Sequence, residues 1–123
     1  ISAGDLVQIE RVREIARKQL ANRMQEFGVD ILVSPTTGYA ATPFTGADRN
    51  ATSLAAMHTP PWNSTGSPAL SIPMGFDQDG LPCGMQIIGK PFSDDLVLRL
   101  GHQYQQRTEW HTLTPPMHLQ STI

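Results

Sequence analysis

Between Ser2 and Gly28 the apolar residues Leu6, Ile9, Val12, Ile15, Ala16, Leu20, Met24 and Phe27 recur every three or four positions. That spacing places one apolar stripe along a helix. Glu10, Arg13, Glu14, Arg17 and Lys18 take the opposite side, where Glu10–Arg13 and Glu14–Lys18 offset the unfavourable Glu10–Glu14 pair. Ser2 and Asp5, three residues apart, form a capping pair for the first turn. Gly28 supplies the left-handed stop. The run Ile31-Leu32-Val33 then reads as a short, wholly apolar strand, ended by Ser34-Pro35 and covered on both faces as in an α/β layer.

Later elements are shorter. The segment from Pro35 to Gly46 holds two prolines and two glycines and reads as a long loop of the functional or mobile kind. Residues 51–58 suit a short helix that Thr59-Pro60-Pro61 ends. From there the chain reads as a stiff approach, a polar bend held by Asn63 and Thr65 through bonds to their own backbone, and a buried strand Ala69–Ile72 stopped by Pro73. Met85–Ile88 is the next strand, antiparallel to it across the turn formers Asp77-Gln78-Asp79-Gly80. Ser93-Asp94-Asp95 opens a second long helix with Leu96, Val97, Leu100 and Tyr104 on its buried face, fading near Trp110. The tail 111–123 reads as irregular.

Composition narrows the function classes. The 123 residues, 39% hydrophobic and 16% charged, are enough for one domain and exclude disorder and coiled coil. Nine basic against eleven acidic residues leave no footprint for nucleic acid. No apolar run is long enough for a membrane span. The lone Cys83 cannot form an internal disulfide and suits a reducing, cytoplasmic compartment. The first residue is Ile1 rather than Met, so either something was removed upstream or this is a piece of a longer chain.

No catalytic engine is visible. His102, His111 and His118 lack the close pairing of a zinc site, and Asp77-Gln78-Asp79-Gly80 lacks the later bidentate acid of a calcium loop, so a hairpin turn explains it better. Neither phosphate-loop pattern occurs. Cys83, between Pro82 and Gly84, reads as a packed thiol. No Gly-x-Ser-x-Gly elbow exists. Of the two lysines, Lys18 sits among helical charges and Lys90 follows a strand. Asn50-Ala51-Thr52 and Asn63-Ser64-Thr65 match the glycosylation pattern by chance. Metal and cofactor are both expected to be absent.

Four stretches in order carry a resemblance. They are Asp30-Ile31-Leu32-Val33-Ser34-Pro35-Thr36, then Asn63-x-Thr65-Gly66-x-Pro68-Ala69 with Ile72-Pro73-x-Gly75. Next comes Asp79-Gly80-Leu81-Pro82-x-Gly84-Met85-Gln86-Ile87-Ile88-Gly89-Lys90-Pro91-Phe92, and last Glu109-Trp110-His111 before Pro115-Pro116. Together they resemble the C-terminal portion of the amidase signature family. The resemblance implies an α/β fold, the last part of an α/β/α architecture with a large mixed central sheet. About three strands and two to three helices of it fall within residues 1–123, a segment of a single domain. It also implies hydrolysis of carboxamide C–N bonds by a Ser, a cis-peptide Ser and a Lys. All three are expected upstream, so no catalytic residue is assigned to this chain, which is expected to be inactive alone.

The segment is then expected to supply scaffold and the wall of a substrate channel. Thr36, Thr37, Tyr39 and Phe44 leave the first strand, and Trp62 and Asn63 precede the second; these six are the candidate substrate-binding residues. Met74 and Phe76 suit core packing better than a pocket. The expected partners are a small-molecule amide and the remainder of the amidase chain, with a homodimer also open. The A-type subunits of glutamine-using amidotransferases resemble the same region but carry an Asp where Ala56 stands, so a general amidase acting on neutral amides is favoured over them. A non-catalytic domain that binds a partner through its sheet edge, or an inactive fragment, are the other readings.

Overall fold

A computed structural model describes residues 1–41 and 58–114. Helix α1 covers Ala3–Glu26, and its start is the anticipated capping box. The Ser2 N–H donates to Asp5 Oδ2 at 2.8 Å, and the Asp5 N–H donates to Ser2 Oγ at 3.1 Å. At the far end Gly28 takes a φ of 64°, the left-handed turn that a Cβ would oppose. Arg13 pairs with Glu10 at 2.7 Å, while Glu14 binds both Lys18, at 3.3 Å, and Arg17.

Strands β1 (Ile31–Pro35), β2 (Ala69–Phe76) and β3 (Pro82–Gly89) form one antiparallel sheet in the order β1-β3-β2. The expected pairing of the second and third strands holds, with Leu70 opposite Ile87 and Ile72 opposite Met85. Asp77 makes the connecting turn, its Oδ1 accepting from the Asp79 and Leu81 N–H groups at 2.9 and 2.8 Å. Alternation along the strands places Ile31, Val33, Leu70, Ile72, Met85 and Ile87 on one face. Helix α3 (Asp94–Gln105) lies on that face across β3 and β2. The core is Ile72, Ile87 and Val97, flanked by Ile31, Leu70, Met85, Leu100 and Tyr104. Ile87 and Ile88 are both fully buried, so the central strand is covered on both faces there.

Two glycines set the depth of α3. A Cβ at Gly89 would lie 2.3 Å from Ser93 Oγ and 2.7 Å from Val97 Cγ2, and one at Gly101 would lie 2.4 Å from Leu70 Cδ2. Bare backbone at both positions lets the helix settle onto the sheet.

Four expectations need correction. Among the described residues β1 lies at the sheet edge and extends through Ser34 and Pro35, and Val33 is 55% exposed rather than covered. The reason is that α3 spans β3 and β2 and leaves the outer side of β1 open. β2 does not stop at Pro73. The register shifts between Pro73 and Gly75, and the strand runs on to Phe76, because an edge position tolerates a residue without an N–H. Its exposure alternates from Ala69 to Pro73, which turns Leu70 and Ile72 inward. Finally, the expected polar bend is a short helix, α2 (Pro60–Thr65), in which the prolines occupy the first turn where no N–H is required. The second long helix ends at Gln105, with Trp110–Thr112 forming a separate 3-10 turn.

Residues 51–57 of the helix expected at 51–58, Phe44, Ala56, the first glycosylation-like triplet, His118 and the tail from Pro115 lie outside the described residues.

Candidate functional site

The candidate residues leave β1 and enter β2 through α2. Thr36 follows β1 directly: its N–H donates to the Gly84 carbonyl at 2.9 Å and its Oγ1 lies 2.8 Å from Ser71 Oγ. Gly84 makes this possible, since a Cβ there would meet Thr36 Oγ1 at 3.0 Å. Thr37 Oγ1 donates to the Tyr39 carbonyl at 3.0 Å, which curls the exit loop, and Tyr39 is 41% exposed. Gly38 packs against the His58 ring, with His58 Nε2 3.4 Å from where its Cβ would be.

On α2, Thr65 is buried. Its Oγ1 donates to the Pro61 carbonyl at 2.9 Å and lies 2.9 Å from Ser67 Oγ. The expected backbone-directed role for Thr65 is met by these bonds. Asn63 is exposed. Trp62 is half-buried, and its indole Nε1 is covered, with no hydrogen-bond acceptor among the described residues. Arg13 of α1 reaches across and donates from Nε to the Ser64 carbonyl at 3.0 Å, satisfying one of the carbonyls left open at the end of α2.

One residue joins the two halves. Gln86, 2% exposed at the centre of β3, directs Nε2 to Ser34 Oγ at 2.9 Å, the Pro35 carbonyl at 3.2 Å and the His58 carbonyl at 2.7 Å. Sequence reasoning placed Gln86 only within a strand. Ser71, His58 and Gln86 carry no local signal of their own, because their partners are 28 to 52 residues away.

A hollow of about 420 Å³ opens at the far end of β2 and is lined by Pro73, Gly75, Phe76, Trp110 and Leu113 among others. Phe76 meets Trp110 edge to face at 6.0 Å. Met74 and Phe76 are 43% and 51% exposed, so the expectation that they pack in the core fails; the shifted register at the end of β2 turns Phe76 toward Trp110 instead. Among the described residues, none of the candidates Thr36, Thr37, Tyr39, Trp62 and Asn63 lines this hollow. Lys90 pairs with Asp30 at 2.9 Å across the opposite sheet end, and Cys83 Sγ faces the Leu81 carbonyl at 3.8 Å. Among the described residues no group of three His, Cys, Asp or Glu side chains is placed to hold a metal ion. No helix among them is long and apolar enough to cross a membrane.

Known proteins share this arrangement. The A-type subunit of the glutamyl-tRNA(Gln) amidotransferase of Synechococcus sp. is 40% identical over 112 residues, covering 88% of this chain and 22% of the relative. The solved peptide amidase of Stenotrophomonas maltophilia superposes with a TM-score of 0.61 at 30% identity, over 87% of this chain and 21% of that one. The corresponding amidotransferase protein of Thermotoga maritima gives a TM-score of 0.58 at 32% identity, over 68% and 19%. The chain thus spans about a fifth of the length of the relatives it matches. The model of the family described as Amidase matches residues 2–98, a span that takes in α1, the whole sheet and the entry into α3, and the chain belongs to that family.

Proposed function

We propose that the protein carrying this chain hydrolyses carboxamide C–N bonds, giving a carboxylic acid and ammonia or an amine. The chain is one segment of a single amidase domain in a cytoplasmic protein. It contributes strands and a channel wall, while the Ser-Ser-Lys machinery stands on polypeptide outside these 123 residues. The observation that carries the reading is the family match over residues 2–98.

The side chains offered to substrate are the hydroxyls of Thr36 and Thr37, the rings of Tyr39 and Trp62 and the carboxamide of Asn63, with Phe44 as a further wall residue. None bears a charge. Such a lining suits a neutral aryl or alkyl amide, because a buried ammonium or carboxylate without a counter-charge loses several kcal/mol of hydration.

A second reading is the A-type component of an amidotransferase, favoured by the 40% identity to the Synechococcus protein. The experiment that separates the two expresses the complete reading frame containing this chain. Ammonia release is then measured from neutral amides, charged amides and glutamine, with and without candidate partner subunits. Turnover led by neutral amides is expected, and the 123-residue chain alone should give none. Turnover confined to glutamine in the presence of a partner protein overturns the first reading in favour of the second.

A further inference from the structure

We propose that Gln86 is the positioning residue of the channel wall, a buried brace that fixes the β1 exit against the segment entering α2. The inference rests on the functional reading above only in calling these two segments a channel wall; the brace itself rests on geometry. Gln86 is almost wholly buried, yet its Nε2 has three oxygens within reach, Ser34 Oγ, the Pro35 carbonyl and the His58 carbonyl. Two of these are backbone carbonyls, which only accept. The amide orientation with nitrogen toward them is therefore the one the network demands.

What the brace holds matters more than its strength. Ser34 and Pro35 end β1 and lead directly to Thr36, Thr37 and Tyr39. His58 leads through Thr59 to the first turn of α2, which carries Trp62 and Asn63. The two segments are far apart in sequence, and one carboxamide grips both. The Thr36–Ser71 hydroxyl pair and the His58 ring against Gly38 lie alongside it, so the grip is part of a small polar cluster rather than a lone bond. A strand interior filled by apolar residues would have covered the same volume. A carboxamide there has a specific geometric task.

The test uses Gln86→Glu and Gln86→Met in the complete protein that carries this chain. The first keeps the shape and replaces the donors with an acceptor; the second keeps the approximate volume and removes polarity. Amide exchange is read at Thr36, Thr37 and Gly38 and at Trp62 and Asn63, with Ile87 and Ile88 reporting that the sheet is intact. Both variants should speed exchange in both segments at least tenfold at neutral pH. In Q86E the effect should shrink as the carboxyl is protonated, since its O–H then serves as a donor, whereas Q86M should show no such recovery. A pH-dependent recovery is not expected of a residue that only fills space. If Q86E loses the Ile87 and Ile88 protection, Q86M decides. Exchange unchanged within twofold, or faster in one segment only, overturns the brace.

In the complete enzyme the same variants should raise KM about tenfold and leave kcat within a few-fold. An enzyme that turns over amides with KM unchanged by either variant refutes the positioning role and leaves the amidase reading standing. A complete protein without amide turnover refutes the reading, while the exchange data still decide the brace.

Discussion

Gly89→Ala tests the packing of α3 on the sheet at its tightest point. The added Cβ would sit 2.3 Å from Ser93 Oγ and 2.7 Å from Val97 Cγ2, with Pro68 Cγ at 3.4 Å. Ser93 is not free to swing away without loss, because its Oγ donates to the Lys90 carbonyl at 2.7 Å. Val97 is β-branched and 3% exposed, so its rotamer is nearly fixed. Overpacking of this kind costs about 1–3 kcal/mol, and breaking the Ser93 bond adds roughly 1 kcal/mol. Against this, removing a glycine restricts the unfolded chain and returns about 0.4–1 kcal/mol. The balance is a loss of about 2 kcal/mol, close to a thirtyfold change in an equilibrium constant. Amide exchange at Ile87 and Ile88 measures it, since these buried residues belong to the same packed unit. Adding Ser93→Ala should recover part of the loss, leaving the Val97 contact. A change under about 0.5 kcal/mol, within the range of ordinary surface substitutions, or no recovery in the double variant, would refute this account of how α3 is seated.

Two further outcomes follow from α1. Asp5 is held below the usual carboxylate range, first by the hydrogen bond from the Ser2 backbone and then by the one with its side chain. A depressed value means that the cap contributes above the ordinary Asp titration near pH 4 and is lost as pH falls through the folded value. Chemical shifts of residues 3–7 should therefore report fraying in acid that Asp5→Asn does not show, and identical profiles would count against the capping role. Leu6, Val7, Ile9, Val12 and Ile15 are each 46% to 57% exposed, so the isolated chain should self-associate with rising concentration. Replacing Ile9 and Val12 by Gln should reduce the mass seen by light scattering, and a monomer at every concentration for the unmodified chain contradicts the reasoning.

Much of this was legible locally. The capping box, the Gly28 stop, the Asp77 turn and the apolar face of α3 each depend on residues within four positions of one another. What was not legible depends on topology. Pro73 and Pro60-Pro61 look like terminators, yet Pro73 is tolerated because β2 is an edge strand, and the paired prolines open α2 because a first turn needs no N–H. Whether a strand is central or at the edge is decided by its neighbours across the sheet. The same limit hid Gln86, which has the signature of any polar strand residue until β1 and the approach to α2 close around it. The exit of β1 reads as a place for binding residues because strand ends in α/β proteins serve that way; the element that holds that exit in place does not show in the sequence.

The exposed stripe of α1 bears on the candidate site itself. Five side chains about half exposed leave unrealised roughly 1 kcal/mol each of hydrophobic stabilisation, a sum comparable with the lower end of the total stability of a small domain. A protein surface that covers α1 therefore changes more than solubility. α1 is tied to α2 by the Arg13 guanidinium on the Ser64 carbonyl, and Ser64 adjoins Asn63 and Trp62. Ordering the first half of α1 fixes Arg13, and Arg13 in turn fixes the end of α2 from the side opposite to the Gln86 grip on His58. The segment that carries Trp62 is thus held at both ends. The inner hold is complete within the chain, and the outer one is only as firm as whatever packs against α1.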